Sequence, residues 1–271
     1  MVQGLSIDWE INDYTTFSAD IEHVRNLDRE ESELTSVALG MKWHSADDTW
    51  VGDADLDTTW EESGTTHYAS IGLAGKVTPD LTVLGRSRVA LDRRNGNDFR
   101  RMRTRVGAAY RPMEDPRLKV LAWYEHRLEQ KHNRTETHMW SLDANYEADE
   151  NLRLNGKYAG QHQKVETAGG ISAATTTQLL QAGLHYEFGD DRFQVGVNAA
   201  HLWDNDGNSA NGVGAEFGFV PRKGTLLAIG YNQASGHVAR QGDLYQDGAY
   251  LQFNLLLDNS LWDQLDGFLG N

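Results

Sequence analysis

The sequence predicts an all-β protein, a closed antiparallel transmembrane β-barrel of about 14 strands, and two observations favour this fold. Apolar and polar residues alternate almost without interruption from residue 4 to residue 257. Successive side chains of a strand point to opposite faces, so alternation gives each strand one apolar and one polar side. No apolar run approaches the roughly 20 residues that a transmembrane helix needs, whereas a barrel strand crosses a bilayer with only half of its residues apolar.

Composition agrees with this fold and restricts the partners. The chain has 27 Gly, only 4 Pro, 8 Trp and 10 Tyr, which suits strands and turns better than packed helices. Cysteine is absent and the formal net charge is −15. Nucleic acid is therefore not an expected partner, because its phosphates attract basic surfaces.

The alternation defines the strands in chain order. In the first predicted strand, residues 4–22, Leu5, Ile7 and Trp9 share one face and Asp8 and Glu10 share the other. The remaining predicted strands cover residues 37–43, 50–60, 66–78, 81–92, 99–112, 117–128, 136–148, 151–164, 177–188, 192–202, 211–220, 225–234 and 245–257.

The connections between these strands alternate in length. Short turns are predicted near residues 45–49, 78–80, 112–116, 148–151, 189–191 and 221–224, and longer polar loops near 25–33, 62–66, 93–98, 129–135, 165–176, 203–210 and 235–244. Short periplasmic turns and longer extracellular loops are typical of bacterial outer-membrane barrels. We therefore expect this localisation, both chain termini on the periplasmic side, and a signal peptide removed ahead of residue 2.

The apolar side of each strand is predicted to face lipid. About fourteen strands would enclose a space too wide for side chains to fill, since roughly eight already give a filled core. Aromatic residues near strand ends resemble the girdles found at the two membrane interfaces. The predicted girdle consists of Trp9, Trp43, Trp50, Trp60, Tyr110, Tyr124, Trp140, Tyr146 and Phe193.

The opposite, polar side carries charges that are segregated along the chain. The predicted acidic lumen residues are Asp8, Glu10, Asp20, Glu22, Asp53, Asp55, Asp57 and Glu61, and the predicted basic ones are Arg86, Arg88, Arg101, Arg103, Arg105 and Arg127. Opposed acidic and basic walls would produce a field across a water-filled lumen and tune its selectivity. In the alternative interpretation, these residues pair with one another and brace the wall or a plug.

The end of the chain resembles known outer-membrane proteins. Gly248, Leu251 and Phe253 resemble the C-terminal sorting signal that the barrel assembly machinery recognises, although the chain continues to Asn271. The Tyr-Glu-Ala-Asp-Glu-Asn turn at 146–151, Gly156-Lys157, Gly230-Tyr231-Asn232 and the final Gly-Ala-Tyr make residues 136–257 similar to the C-terminal barrel of large repeat-rich bacterial surface proteins. That resemblance implies an anchor or translocator for upstream domains.

Two segments are predicted: a barrel over residues 1–258 and a periplasmic tail over residues 259–271. In the tail, Leu261, Trp262, Leu265, Phe268 and Leu269 have helical spacing, which predicts a short amphipathic helix at the membrane interface. A tail folded into the lumen as a plug is the alternative.

The predicted function is an outer-membrane pore or translocation channel, and a sealed structural anchor for surface or periplasmic domains is the alternative. Expected partners are outer-membrane lipids and lipopolysaccharide, the barrel assembly machinery, and small hydrophilic solutes or a translocated chain. An enzyme is not predicted, because no nucleophile, base and orienting group converge. His126, His132 and His138 flank one predicted loop, but the tract reads as an ordinary polar loop, so neither a metal site nor a cofactor is expected.

Overall fold

The fold consists of strands and their connections in a computed structural model that describes residues 2–25, 33–94, 97–222, 225–236 and 247–255. No helix within these ranges is long and apolar enough to cross a membrane. The strands are β1 (Val2–Asn12), β2 (Thr15–Arg25), β3 (Glu33–His44), β4 (Trp50–Glu61), β5 (Gly64–Thr78), β6 (Leu81–Arg94), β7 (Asn97–Tyr110), β8 (Leu118–Gln130), β9 (Arg134–Glu147), β10 (Leu152–Glu166), β11 (Ser172–Phe188), β12 (Phe193–Asp204), β13 (Ser209–Arg222), β14 (Thr225–Gly236) and β15 (Gly248–Leu255).

Each strand is hydrogen-bonded to its neighbours in the chain, in the order β1 to β15. The registers of β1 to β8 and of β12 to β15 are antiparallel throughout. The predicted all-β antiparallel fold is therefore confirmed.

The described ranges contain fifteen strands where the sequence predicts fourteen, because residues 4–22 form parts of two strands. The chain turns at Asp13 and Tyr14, and β1 pairs with β2 beyond the turn. A bulge between Glu10 and Asn12 shifts the register of this hairpin by one residue. The shift restores the phase of the alternation, so the hydrophobic pattern runs through the turn without a break.

This additional turn corrects the predicted position of the start of the chain. The sequence predicts that the chain starts on the side of the short turns. Val2 pairs with Val24, so β1 instead begins on the opposite side, beside the predicted long loop 25–33. Several predicted long loops are also shorter than expected, because the strands extend into them. Only residues 62–63 separate β4 from β5, and only residues 131–133 separate β8 from β9.

The chain divides into two compact units, and the first comprises Met1–Asp143 and Ala159–Thr177. Its apolar face, defined by Leu39, Leu56 and Ile71, is exposed by 38%, 49% and 62%. On its polar face, Ser70 and Glu125 are buried, at 8% and 0% exposure. Large apolar side chains outside and polar side chains inside are the reverse of a water-soluble domain, and lipid is the solvent that suits this arrangement.

The second unit comprises Ala144–Tyr158 and Gln178–Asn271. Val195, Val197 and Phe217 lie on its exposed apolar face. The opposite face includes four buried small or apolar residues: Ala200, Leu202, Ala210 and Ala228.

Candidate functional site on the polar face

Strand register aligns the charged residues of the first unit in rows across its polar face. One row contains Asp53, Gly72, Arg86, Arg105 and Glu125, and the next contains Asp55, Ser70, Arg88, Arg103 and Arg127. The other predicted lumen residues occupy this same face: Asp8, Glu10, Asp20, Glu22, Asp57, Glu61 and Arg101. The predicted residues thus share one face, and their role in a lumen stays a prediction.

Five of these residues, Arg86, Arg88, Arg103, Arg105 and Arg127, form an arginine cluster on β6, β7 and β8. Glu125 is fully buried within it. Its Oε2 accepts hydrogen bonds from Arg103 Nη2 at 3.0 Å and from Arg105 Nε at 2.5 Å, and its Oε1 accepts one from Arg127 Nε. A buried carboxylate is costly unless it is paired, and three guanidinium groups satisfy this one.

Arg86 is paired separately, with a carboxylate two strands away. Its Nη2 donates to Asp53 Oδ1 at 2.5 Å and to Oδ2 at 2.7 Å. Gly72 of the intervening β5 makes room for this pair, because a Cβ there would lie 2.6 Å from Asp53 Oδ1. Asp53 and Glu125 are therefore the two carboxylates that neutralise part of the arginine cluster.

The cluster retains an excess of positive charge, since five arginines face two carboxylates and three charges remain. Within the described ranges, Arg88 has no ion-pair partner. Arg86, Arg88, Arg103 and Arg105 together line a small cavity. Such convergent guanidinium groups attract anions and can donate hydrogen bonds to carboxylates and phosphates.

Aromatic side chains hold two arginines in place. The guanidinium of Arg105 lies 4.8 Å from the ring centre of Trp123 on the same face, which is a cation–π distance. Arg101 lies 4.9 Å from the ring centre of Phe99 and 3.7 Å from Glu129. Arg101 is thus paired with Glu129 and is separate from the cluster around Glu125.

In the part of the chain that the structure describes, most carboxylates of β1 to β4 on this face have no cationic partner. Asp20 accepts a hydrogen bond from Ser6, and Asp55 accepts one from Ser70 at 2.9 Å. Among the described residues, ion pairs between the acidic and basic strands join Asp53 to Arg86 and Glu61 to Arg94, the latter at 3.4 Å. Charge is therefore segregated along the sheet and neutralised at the border.

Sequence reasoning missed Glu125 and Trp123 as parts of this site. The signal was present, because Trp123, Glu125 and Arg127 alternate with Tyr124 and His126 and so belong to the face of Arg103 and Arg105. An acidic residue between Arg127 of β8 and the arginines of β7 indicates a shared counter-ion.

The predicted aromatic girdle is only partly near strand ends. Trp9, Trp43, Trp50, Tyr110, Tyr146 and Phe193 lie near the turns at 13–14, 45–49, 111–117, 148–151 and 189–192, and Trp60 lies next to the connection at 62–63. Tyr124 and Trp140 were also expected near strand ends, but they lie in the middle of β8 and β9. That expectation is wrong for these two residues, because the strands continue farther than the alternation indicated.

The residues of the resembled sorting signal lie in β15. Gly248 begins the strand, and Leu251 and Phe253 are 85% and 62% exposed. The predicted interfacial helix of the tail, together with the acidic stretch of the loop near 25–33, lies outside the described residues apart from Glu33.

Comparisons with known proteins agree with the predicted fold. No protein-family model matches the chain, and no curated protein is significantly similar in sequence. The structure is similar to the copper transporter OprC, with a TM-score of 0.55 and 8% identity, over 90% of this chain and 54% of that chain. It also matches CdiB from Acinetobacter baumannii, with a TM-score of 0.47 and 11% identity, over 94% of this chain and 56% of that chain. A third match is an anion-selective porin from Comamonas acidovorans, with a TM-score of 0.44 and 11% identity, over 93% of this chain and 94% of that chain.

The similarity to OprC shows the fold, which is that of bacterial outer-membrane β-barrels, as the sequence predicts. This chain spans about half the length of OprC. At such low identity, the activity of that protein does not transfer to this chain.

Proposed function

We propose that the chain is a pore of the bacterial outer membrane, with its polar face around water and its apolar face against lipid. The observation that carries the proposal is the arginine cluster, in which four guanidinium groups pair with two carboxylates and Arg88 has no ion-pair partner among the described residues. The substrate class that fits it is small hydrophilic anions, because excess positive charge in a restricted aqueous space concentrates them.

The arrangement around Glu125 explains how such a cluster can persist. Five arginines on three adjacent strands repel one another, and a buried counter-ion at their centre offsets part of that repulsion. The side chains of Arg103, Arg105 and Arg127 remain partly exposed, at 40%, 41% and 41%. They can therefore contact a passing solute while they hold Glu125.

Planar-bilayer recording tests the proposal. We expect the purified protein to give discrete conductance steps and, under a salt gradient, a reversal potential displaced toward that of the anion. Insertion into bilayers without any conductance step would contradict the pore. Failure to insert would contradict the membrane placement as well.

A sealed membrane anchor is the second candidate, and one observation favours it. The ion pairs from Glu125 to Arg103 and Arg105 connect β8 with β7, as a brace of the wall would. In the recording, stable insertion without conductance is the result expected for the anchor. Lipopolysaccharide and the barrel assembly machinery are proposed partners in both cases.

A further inference from the structure

A polar cluster lies on the apolar face of the first unit, opposite the arginine cluster. It consists of His126 near the end of β8 and Glu136 and His138 near the start of β9, close to the connection 131–133. His126 occupies the face of Thr104 and Tyr124, as the register of β7 and β8 requires. A carboxylate on a lipid-facing surface is costly unless cations or hydrogen bonds neutralise it, so this cluster needs an explanation that the pore does not supply.

We infer that His126, Glu136 and His138 form a binding site for a divalent transition metal, with Zn²⁺ as the best-fitting ion. Their ligand atoms all lie within 4.8 Å of one another. Glu136 Oε1 is 3.2 Å from His126 Nε2 and 3.4 Å from His138 Nε2. Two ligand atoms on one tetrahedral zinc, each bound at about 2.0–2.1 Å, are about 3.3 Å apart, so these separations suit a shared ion.

The surroundings orient the ligands in the way that metal sites require. His138 Nδ1 is 2.6 Å from the Tyr124 hydroxyl. With a metal on Nε2, the Nδ1–H group donates to that hydroxyl, and such an outer hydrogen bond fixes the tautomer and the ring orientation of a ligating histidine. The rings of His126 and His138 are stacked, with centroids 4.8 Å apart and planes 27° apart, which keeps both Nε2 atoms directed at Glu136.

The second oxygen of Glu136 is not required for the metal. Arg134 Nη2 donates to Oε2 at 3.5 Å, so Oε1 is left for the ion. Two imidazoles and one carboxylate give three protein ligands and leave a fourth position open, a donor set that zinc accepts. The metal would connect β8 to β9 close to their connection at 131–133. Metal binding there would not depend on which solute crosses the pore.

Calorimetric titration of Zn²⁺ into untagged, chelator-treated protein in detergent tests the inference. We expect one ion per chain, and a loss of affinity of at least about tenfold in each of His126→Asn, His138→Asn and Glu136→Gln, because even outer-shell losses cost tenfold or more. His67→Asn is the matched control. His67 also lies on the apolar face and its Nδ1 contacts a hydroxyl, that of Thr58, at 3.1 Å.

Two further measurements keep the test decisive. Circular dichroism of each variant separates lost binding from lost folding, and the conservative Glu136→Gln change keeps the side-chain size. X-ray absorption of the zinc-loaded protein should give a shell of nitrogen and oxygen ligands with two imidazoles. Absence of zinc binding by the wild-type protein, or equal binding by the folded ligand variants, would overturn the site, whereas the conductance of those variants should remain unchanged.

Discussion

Asp53 and Arg86 form an ion pair, in which Arg86 Nη2 donates to both carboxylate oxygens, although their strands, β4 and β6, are not neighbours. The strand between them, β5, presents Gly72 at the point where a side chain would separate the two groups. Because Gly72 has no side chain, the acidic strand β4 and the basic strand β6 can form an ion pair across β5.

Replacing Gly72 with Val should uncouple this pair. The new side chain would occupy the space where Asp53 Oδ1 lies 2.6 Å from the Cβ position and Arg86 Nε lies 3.0 Å from it. A double-mutant cycle with Asp53→Asn and Arg86→Gln, measured by urea unfolding, should give a coupling of about 0.5–1 kcal/mol in the wild-type background and none in Gly72→Val. Gly156→Val is the control and should leave the coupling unchanged, since a Cβ at Gly156 meets no atom within 4 Å. If the coupling between Asp53 and Arg86 persists in Gly72→Val, the role of Gly72 is contradicted.

Neutralising the buried counter-ion should destabilise the arginine cluster. Glu125→Gln removes the charge that three guanidinium groups share, and we expect a loss of about 2 kcal/mol of unfolding free energy, a typical value for charged hydrogen bonds. Glu129→Gln is the control, because Glu129 is 49% exposed and pairs with Arg101 at 3.7 Å, and it should cost much less. The comparison is made by urea unfolding in detergent, and equal losses in the two variants would argue against a central role for Glu125.

Removing positive charge from the cluster should change ion selectivity. Arg103→Gln with Arg105→Gln lowers the excess charge, so the reversal potential under a salt gradient should move toward cation preference. Adding Arg101→Gln should extend the shift if Arg101 also faces the lumen. Arg117→Gln is the control, because Arg117 lies in the turn beside Asp115, and it should leave the reversal potential unchanged. If the Arg103 and Arg105 variants also leave it unchanged, these arginines do not line the conduction path.

A charge on the apolar face should hinder folding into a bilayer. Leu56 is 49% exposed in the middle of β4, and Leu56→Lys should cost about 2–4 kcal/mol near the bilayer midplane. Asp57→Lys introduces the same group on the polar face one residue later and should cost much less. Folding yields in liposomes measure the difference, and similar yields would contradict the assignment of the two faces.

Asp47 in the turn between β3 and β4 provides a pH-dependent contribution to stability. Hydrogen bonds from the Ser45 hydroxyl, at 2.6 Å, and from the Thr49 hydroxyl and backbone hold the pKa of Asp47 below its usual 3.8. Because the pKa is lower in the folded state, the contribution is present above pH 3.8 and is lost as the pH falls through the folded value. Stability of the wild type should therefore approach that of Asp47→Asn in acid, as measured by unfolding at a series of pH values; a constant difference would contradict this.

The sequence was sufficient to predict the class of fold because alternation records which face of each strand is apolar. It could not reveal the turn at Asp13 and Tyr14. The bulge between Glu10 and Asn12 keeps Trp9 and Phe17 on the same face, so two strands retain one continuous pattern. The turn at residues 13–14 could have been inferred from the residue types there, but not from an alternation of period two, because the alternation continues across the turn.

The polar face was predicted by residue type, but its pairing was not. Which carboxylate meets Arg86 depends on the register of three strands and on Gly72, and neither follows from alternation. Similarly, the approach of His126 to Glu136 and His138 depends on the short connection at 131–133, which the sequence predicted as a longer loop.

Pairing of every strand with its chain neighbours has a consequence for assembly. Each added strand needs only the preceding one as a template, so the sheet can grow one hairpin at a time with short loops to close. At every stage one exposed backbone edge belongs to β1 and the other to the newest strand. A factor that protects the growing edge would therefore move along the chain as the sheet widens, whereas protection of the other edge would stay at β1.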